Sequence, residues 1–439
     1  MESKQPSDSV LPPLFLALVA GLFFFIAIIK FGSPVIMDRY VEAPRDFASI
    51  LYGPWPPHWG MWFFVPIALI ALIAFDLRRL KLRWALGLPL LWLAWQCVAA
   101  TRTMSPSLTE LTLLHFAICV GLFYIGFFAG KAMDNPWPVW VAMGLALCWT
   151  MRAGLEQHFG GLEATRKLLA QSPQLTGLDA ALLGNPDYLK RIQSDRIFGT
   201  FGGYPNSLAA AIMLLLPLTL VFMWRLTPKV RASIRIGFVL VLGGCGLGCL
   251  YWTGSKAGWL LALGLGLVAL GHSPLSLKWR RGVICGMLVL GIAGFGLKYA
   301  GFFHKQYNSV DARFGYWHGA MIVIRHHPWL GTGPGTFQIP YERIKRSTDE
   351  MARLCHNDYL EQASDSGIFS LLIFTGMIFT ALISLYRYSV KKAPLDWFKF
   401  AVWLGVLGVC LHSFVDFNLY IPALAWPVFF LFGWLFRQN

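Results

Sequence analysis

Apolar residues in this chain form twelve long blocks rather than the periodic stripes that mark a soluble core. A hydrocarbon layer about 30 Å thick needs roughly 20 apolar residues for each spanning helix. Only 13% of the residues are charged, against about 25% in soluble domains. The sequence therefore predicts one all-α integral membrane domain, 1–439, with about 12 transmembrane helices. The blocks lie at about 13–31, 60–76, 84–100, 109–129, 136–153, 206–224, 236–253, 257–271, 282–300, 367–386, 397–412 and 420–436.

Lys and Arg residues in the short connections predict the orientation of the chain. They cluster at 78–83, 225–235, 278–281 and 387–392, all on one side of the predicted membrane. A cytoplasmic excess of these residues is usual, so we expect both termini in the cytoplasm and two elaborated loops, 154–205 and 301–366, outside. The formal charge of +15 then reflects topology and not nucleic-acid binding.

The first apolar block lacks the basic flank and the small-residue cleavage pattern of a signal peptide, so we expect a retained helix. A bacterial inner membrane is the expected location.

The most polar segment of the chain directly precedes a long apolar block at the predicted outer face. A density of imidazole, amide and carboxyl groups at a membrane edge indicates chemistry rather than anchoring. A plainer interpretation is that the imidazole stabilises the end of a helix. The candidates in this segment are His356, Asn357, Asp358, Tyr359 and Glu361.

The second outer loop predicts two short helices. Residues 310–327 have helical spacing and precede Pro328. Ile344, Thr348, Met351 and Cys355 then follow with the spacing of an amphipathic helix, which we expect to lie on the bilayer with His356 at its C-terminal end.

Three cations lie close to the predicted outer face. Arg196 precedes a Gly-rich turn into the sixth block, where Asn206 is placed to cap a helix whose N–H groups suit a phosphate. Lys256 lies in a very short turn, and Arg313 lies in the second outer loop. A snorkelling interfacial side chain is the plainer interpretation of Arg196 and of Lys256.

Five histidines fall in the second outer loop, but none has the HExxH or HxxxH spacing of a metal site. We therefore expect no metal and no other cofactor.

The order of five motifs resembles the O-antigen ligase and polymerase superfamily, over roughly residues 190–420. A late His412-Ser-Phe-Val-Asp416-Phe-Asn418 element is also similar to one in many members, whereas the family more often has Arg where this chain has Lys256. The five motifs are Arg196…Gly-Thr-Phe-x-x-x-Pro-Asn206, Thr253-Gly-Ser-Lys256, Arg313-x-x-x-Trp317, Pro328-Trp-Leu-Gly-x-Gly-x-Gly-Thr-Phe337 and His356-Asn-x-Tyr-Leu-x-x-x-x-x-x-Gly367.

The resemblance implies an inverting, metal-independent glycosyltransferase that acts outside the cytoplasmic membrane. Its donor would be a glycan on a polyprenyl (undecaprenyl) diphosphate carrier. Its acceptor would be the lipid A core in a ligase, or another glycan repeat in a polymerase. A protein acceptor, or a different exported polysaccharide, is also compatible with the sequence.

The chemistry of such a transfer suits the residues. A departing lipid diphosphate gains negative charge, which the catalytic candidates Arg313 and Lys256 would stabilise, with Arg196 and Asn206 as binding residues. His356 would act as a general base toward the acceptor hydroxyl or would orient that hydroxyl. Asp358, Glu361 or Asp365 would orient His356 in turn. The remaining substrate-binding candidates are Asn357, Asp358, Tyr359 and Glu361.

Two other classes of function stay open at this stage. A transporter should place ionisable residues at the centres of its spans, but the polar residues here concentrate in the outer loops. A non-catalytic scaffold would need no cations and imidazole gathered at one face. For Asp416 and Asn418, a structural contact with the loops is at least as well supported as a catalytic role.

Overall fold

The computed structural model describes residues 11–74, 84–129, 133–171, 193–300, 309–347, 349–387 and 394–437. Across these ranges the chain is helical and contains no strand. The basic cluster at 78–83, together with Lys391 and Lys392, lies outside the described residues, as do 172–192 of the first outer loop and 301–308 of the second. The all-α prediction is confirmed.

Twelve apolar helices of the described chain follow the twelve apolar blocks. They are α1 (Leu11–Lys30), α3 (Pro57–Ala74), α4 (Leu88–Ala100), α5 (Pro106–Phe128), α6 (Trp137–Glu156), α8 (Pro205–Leu226), α9 (Ala232–Trp252), α10 (Lys256–His272), α11 (Leu277–Tyr299), α14 (Asp358–Leu385), α15 (Trp397–His412) and α16 (Pro422–Arg437). Four shorter or more polar helices lie between them, namely α2 (Phe47–Tyr52), α7 (Leu162–Gln171), α12 (Ser309–His326) and α13 (Gln338–Ile344).

Seven helices of the described chain are long and apolar enough to cross a membrane, and five shorter apolar helices accompany them. This confirms the membrane character of the chain. The number of spans and their orientation stay predictions.

Several of the connections between helices lie at one end of the helix assembly. The turns before α8, between α9 and α10, and between α15 and α16 all contribute to the wall of one cavity there. The segment between α1 and α3 and the second outer loop reach the same cavity. The basic residues at 225–235 and 278–281 follow the opposite ends of α8 and α10. The cavity and these basic clusters therefore belong to opposite ends of the helices.

Glycines allow the closest helix contacts in the assembly. A Cβ at Gly433 of α16 would lie 1.9 Å from the carbonyl oxygen of Phe123 in α5. A Cβ at Gly405 of α15 would lie 2.2 Å from the carbonyl oxygen of Leu214 in α8. Helices in a membrane associate through such backbone-to-backbone packing because lipid offers no hydrophobic driving force between them. These two contacts hold α15 and α16 where the turn between them reaches the cavity.

The second outer loop contains one of the two predicted helices. Helix α12 matches the prediction for 310–327 and ends before Pro328. The prediction of an amphipathic helix from Ile344 to Cys355 is wrong, because α13 ends at Ile344 and residues 349–357 are not helical.

Of the predicted pattern, Cys355 is buried within the loop, whereas Met351 is exposed and lines the cavity. Ala352 and Cys355 are buried against Tyr316 of α12 and Tyr341 of α13. They pack into a small cluster within the loop and do not form a helix face on the bilayer. Thr348, the second residue of the predicted pattern, lies outside the described residues.

We predict that Gly433→Ala destabilises the protein by about 1–3 kcal/mol, because the new methyl group overlaps a backbone oxygen of α5. The thermal unfolding temperature of the detergent-solubilised protein measures this loss. Gly286→Ala in α11 is the matched control, since a Cβ there meets nothing within 4 Å. Equal unfolding temperatures for the two variants would contradict the close contact of α5 with α16.

Candidate active site

A cavity of about 1870 Å³ lies at the gathered end of the helices. Its wall draws on residues that are far apart in sequence and includes acidic, basic and aromatic side chains. Five of the nine predicted catalytic and substrate-binding residues line it, namely Arg196, Asn206, Lys256, Arg313 and His356. The fold therefore brings the predicted cations and the predicted imidazole to one space.

Arg196 ties the end of the first outer loop to two helix starts. Its Nε donates to the carbonyl oxygen of Thr253 at 2.6 Å, and its Nη2 donates to Oδ1 of Asn206 at 2.8 Å. The backbone N–H of Ile197 donates to the carbonyl oxygen of Trp252. Gly254, with φ of +62°, turns the chain beside the guanidinium, where a Cβ would come within 3.1 Å of Nε. The Arg196 side chain thus joins the start of α8 to the turn that begins α10.

The predicted helix cap at Asn206 is wrong. Helix α8 begins at Pro205 after Tyr204, and no side chain caps its N-terminus. The amide oxygen of Asn206 instead accepts the hydrogen bond from Arg196. Proline at a first helical position needs no N–H partner, and the arginine offers the amide a charge-assisted bond, which is stronger than a neutral one.

Lys256 is the first residue of α10. Ser255 caps this helix by accepting the N–H of Gly258 at 3.2 Å. The Nζ of Lys256 lies 5.0 Å from the centre of the Tyr299 ring at the end of α11. Its charge therefore lies at a positive helix end, next to an aromatic face, in the cavity wall.

Arg313 lies on α12 and reaches across to the turn between α15 and α16. Its Nε donates to the carbonyl oxygen of Val415 at 2.8 Å, and its Nη1 donates to the carbonyl oxygen of Ser309 at 3.1 Å. Trp317, one helical turn later, also lines the cavity. The spacing of this motif thus places a guanidinium and an indole on the same face of α12.

Among the described residues, His356 is the only non-glycine residue with a positive φ, which is +54°. A left-handed conformation costs roughly 1–2 kcal/mol for such a residue. The imidazole Nδ1 lies 3.2 Å from Oδ1 of Asp416. The ring stacks on Tyr316 at 5.4 Å between centroids and meets the edge of Phe417 at 4.6 Å. Strain of this kind persists only where the surroundings impose it, and it concentrates at functional sites.

Asp416 is the buried partner that holds the imidazole. Its side chain is only 3% exposed, and Oδ1 also accepts the N–H of Phe417 at 3.1 Å. Burial, the largest single effect, would raise the pKa of Asp416, but the hydrogen bond and charge of His356 act in the opposite direction. With further positive charge from His412 and Arg313, they lower the pKa of Asp416 below its usual range. The carboxyl group is therefore ionised and fixes the orientation of the ring.

The other four candidates lie beside the cavity and not in its wall. Asn357 caps α14 by accepting the N–H groups of Tyr359 and Leu360, both at 3.0 Å. Asp358 accepts the N–H of Leu419 at 3.0 Å. The hydroxyl of Tyr359 donates to the carbonyl oxygen of Cys410 at 2.9 Å.

Glu361 completes this group by accepting the backbone N–H of Cys355. All four side chains thus anchor α14 and the chain beside His356. The sequence had predicted orientation of the ring by Asp358, Glu361 or Asp365, but the carboxylate that contacts the ring is Asp416. Contact of these residues with substrate stays a prediction.

The glycines at 331, 333 and 335 serve packing in this region. A Cβ at Gly331 would lie 2.3 Å from the backbone of Asp365 in α14. The N–H of Gly335 donates to Oδ2 of Asp365 at 2.7 Å, and the N–H of Gly333 donates to its carbonyl oxygen at 2.8 Å. Gly367, with φ of +81°, accommodates Trp329 against α14. This Gly-rich segment therefore supports the helix that follows His356.

A model of the O-antigen ligase family matches residues 243–375. The match supports an O-antigen ligase-like family for this chain. Within the O-antigen ligase match lie Lys256, Arg313 and His356, whereas Arg196, Asn206 and Asp416 lie outside it. No curated protein matches the chain at a significant level. The resemblance identified from the sequence motifs is thereby confirmed, while the role of each residue stays a prediction.

Asp416 is the residue of this cavity that the sequence identified least well. It lies 60 positions after His356, and its motif gave equal support to a loop contact. Its signals were the similarity of the 412–418 element to one in many members of the superfamily, and topology. The turn between the last two apolar blocks falls on the same predicted face as the second outer loop.

We predict that Asp416→Asn lowers the unfolding temperature at neutral pH and that the difference from the unchanged protein shrinks below about pH 4. The pKa of Asp416 is lowered from 3.8 in the folded protein. Its contribution to stability is therefore complete above that value and is lost as the pH falls through the folded pKa. Thermal unfolding from pH 7 to pH 3 measures the effect.

Asp195→Asn provides the control for this series. The Asp195 side chain is 95% exposed where it meets Arg166, so its ion pair should contribute little at any pH. A difference for Asp416→Asn that stays constant down to pH 3 would contradict the ionised state of Asp416 beside His356.

Proposed function

We propose that the protein transfers a glycan from a polyprenyl (undecaprenyl) diphosphate carrier to an acceptor hydroxyl in this cavity, on the outer face of a bacterial cytoplasmic membrane. The single observation that carries the proposal is the meeting of His356, held by ionised Asp416, with three cations in one cavity wall. The family match at 243–375 supports the same class of reaction. The acceptor is a lipid A core sugar in this proposal.

His356 acts as the general base. Asp416 engages Nδ1, so Nε2 is the nitrogen that takes the proton of the acceptor hydroxyl. The neighbouring carboxylate stabilises the imidazolium that forms, since an opposite charge within about 4–6 Å favours the charged form. The left-handed backbone at His356 and the Tyr316 and Phe417 rings fix the direction of the imidazole. Such fixed geometry is what positions a base for reaction.

The acceptor oxygen then forms a bond with the anomeric carbon of the donor glycan. The bond from that carbon to the phosphate oxygen breaks, and its electron pair stays on the lipid diphosphate. Arg196, Lys256 and Arg313 face this developing negative charge. Cations that are fixed in a cavity away from bulk water stabilise such charge more than they would in solution. The proposed reaction therefore uses one base and three cations of this chain.

A purified preparation in lipid nanodiscs tests the activity. The donor is a synthetic undecaprenyl diphosphate glycan, and the acceptors are lipid A core oligosaccharide and free glycan repeat. A single addition to the core supports the ligase, whereas a ladder of repeats supports the alternative, an O-antigen or exopolysaccharide polymerase. No product from any acceptor would contradict glycan transfer.

We predict that His356→Ala and His356→Gly both lose more than 100-fold in transfer rate, since general base catalysis contributes about 10²–10⁴-fold. The glycine variant should unfold at a temperature at least equal to that of the alanine variant, because glycine adopts a positive φ without strain. Rate and unfolding temperature are measured on the same preparations. Substantial activity in both variants would remove His356 from the reaction.

We predict that Arg313→Lys loses more activity than Lys256→Arg. The first change removes a planar guanidinium that grips phosphate oxygens in pairs, while the second introduces one. Initial transfer rates at varied donor concentration measure the two effects. Arg325→Lys near the end of α12 is the control, because Arg325 is not among the cavity residues. Equal losses for Arg313→Lys and Lys256→Arg would count against diphosphate recognition by Arg313.

A further inference from the structure

A second cationic cluster lines the same cavity away from the starts of α8 and α10. Arg39 donates from Nη2 to the hydroxyl of Tyr40 at 2.7 Å, and its guanidinium lies 4.8 Å from the centre of that ring. The guanidinium of Arg353 lies 4.4 Å from the same ring centre. All three side chains belong to cavity-lining residues. We call Arg39, Tyr40 and Arg353 the arginine–tyrosine cluster.

The two guanidinium groups of this cluster are not neutralised by the described residues. Neither forms an ion pair within 4.0 Å with a carboxylate of the described chain. Arg353 donates instead to the neutral amide oxygen of Gln338 at 3.3 Å. Glu342 and Glu350 also line the cavity.

The acidic residues beside the cluster have other partners. Glu42 pairs with Arg45 at 3.0 Å, and Asp46 caps α2 by accepting the N–H of Ser49 at 2.7 Å. Two guanidinium groups therefore share one aromatic ring, and neither forms an ion pair with a carboxylate of the described residues.

The pKa of Tyr40 reflects the positive charge of Arg39 and Arg353. Burial alone would raise the pKa of Tyr40, but the hydrogen bonds and charges of Arg353 and Arg39 outweigh burial and lower it. An anion placed between the two arginines would meet donors from both and would relieve their repulsion. Arginine binds carboxylate and phosphate groups in a paired geometry that a single lysine does not offer.

The backbone that carries the cluster is held in place. Residues Val35–Tyr40 form a 3-10 turn, and Oδ1 of Asp38 accepts the N–H of His58 at 2.8 Å. Val35 and Ile36 are buried at its start. Arg353 precedes His356 by three residues, so their Cα atoms lie at most about 11 Å apart. A short saccharide whose hydroxyl contacts His356 can therefore reach Arg353.

We propose that the arginine–tyrosine cluster is a second anion-binding subsite, which takes a carboxylate or phosphate group carried by the acceptor saccharide. The assignment to the acceptor rests on the proposed transfer reaction. In a direct displacement the attacking hydroxyl and the leaving diphosphate lie on opposite sides of the anomeric carbon. The base and the acceptor share one side, and Arg353 belongs to the segment that leads into the base.

Direct binding tests this subsite without any need for turnover. The probes are a trisaccharide that ends in a hexuronic acid and its carboxyl-reduced neutral counterpart, added to the full chain in zwitterionic nanodiscs. We expect the acidic probe to bind about tenfold more tightly than the neutral one. The double variant Arg39→Gln with Arg353→Gln should lose this preference while the affinity for the neutral probe stays the same.

Arg45→Gln is the matched control, because Arg45 lines the same cavity but is paired with Glu42. It should keep the preference for the acidic probe. The double variant Arg39→Lys with Arg353→Lys keeps both charges and should retain part of the preference, which separates a loss of charge from a loss of fold. Equal binding of the two probes by the unchanged protein, or an equal effect of Arg45→Gln, would overturn the proposal.

Two further experiments complete the test. The first distinguishes a lipid headgroup from the acceptor saccharide as the source of the anion, and the second distinguishes failure of the subsite from failure of the proposed transfer reaction. In nanodiscs with anionic lipid, competition that removes the acidic preference entirely would assign the cluster to lipid headgroups and overturn the acceptor subsite. The same measurements in the His356→Ala background should give the same preference. An acidic preference there, together with no transfer by the unchanged protein, would contradict the proposed reaction while leaving an acidic-saccharide subsite.

Discussion

The hydrogen bond between His356 and Asp416 joins the two halves of the cavity that carry its chemistry. Asp416 lies in the turn between α15 and α16, and His356 lies just before α14. Arg313 of α12 donates to Val415, the residue before Asp416. The chain before α14 and helix α12 therefore both contact the turn that carries Asp416. The left-handed backbone at His356 costs roughly 1–2 kcal/mol, and the Asp416 contact and two aromatic rings hold it there.

Close helix packing holds the turn that carries Asp416 in place. Gly405 and Gly433 let α15 and α16 approach α8 and α5 at backbone contact, which fixes the turn that carries Asp416. Backbone N–H groups around α14 donate hydrogen bonds to the carboxylates of Asp358 and Glu361 and to the amide oxygen of Asn357. Buried polar groups cost free energy unless they are hydrogen-bonded. These residues therefore specify the position of the imidazole.

Much of this arrangement was predictable from the sequence, because the membrane imposes it. Apolar block length gave the positions of the helices, and alternation of the blocks placed Arg196, Lys256, Arg313 and His356 at one end. The contact of Asp416 with His356 was harder to predict, since a contact across 60 residues has no local sequence signal.

Local burial also misled the periodicity argument. Cys355 is buried in a cluster inside the loop, whereas Met351 lines the cavity, so these two residues do not form one face of an amphipathic helix. Likewise, Asn206 had the type and position of a helix cap, but the guanidinium of Arg196 provides a stronger partner for its amide oxygen. In both cases a tertiary contact outweighed a local preference.

The central claim is that one cavity holds the lipid diphosphate on its cations and the acceptor hydroxyl on His356. A structure of the full chain in nanodiscs with undecaprenyl diphosphate and a bound acceptor saccharide tests it most directly. Our account predicts phosphate oxygens within hydrogen-bond distance of Arg196, Lys256 or Arg313, and an acceptor hydroxyl at Nε2 of His356. A diphosphate bound outside this cavity, with His356 distant from both ligands, would contradict it.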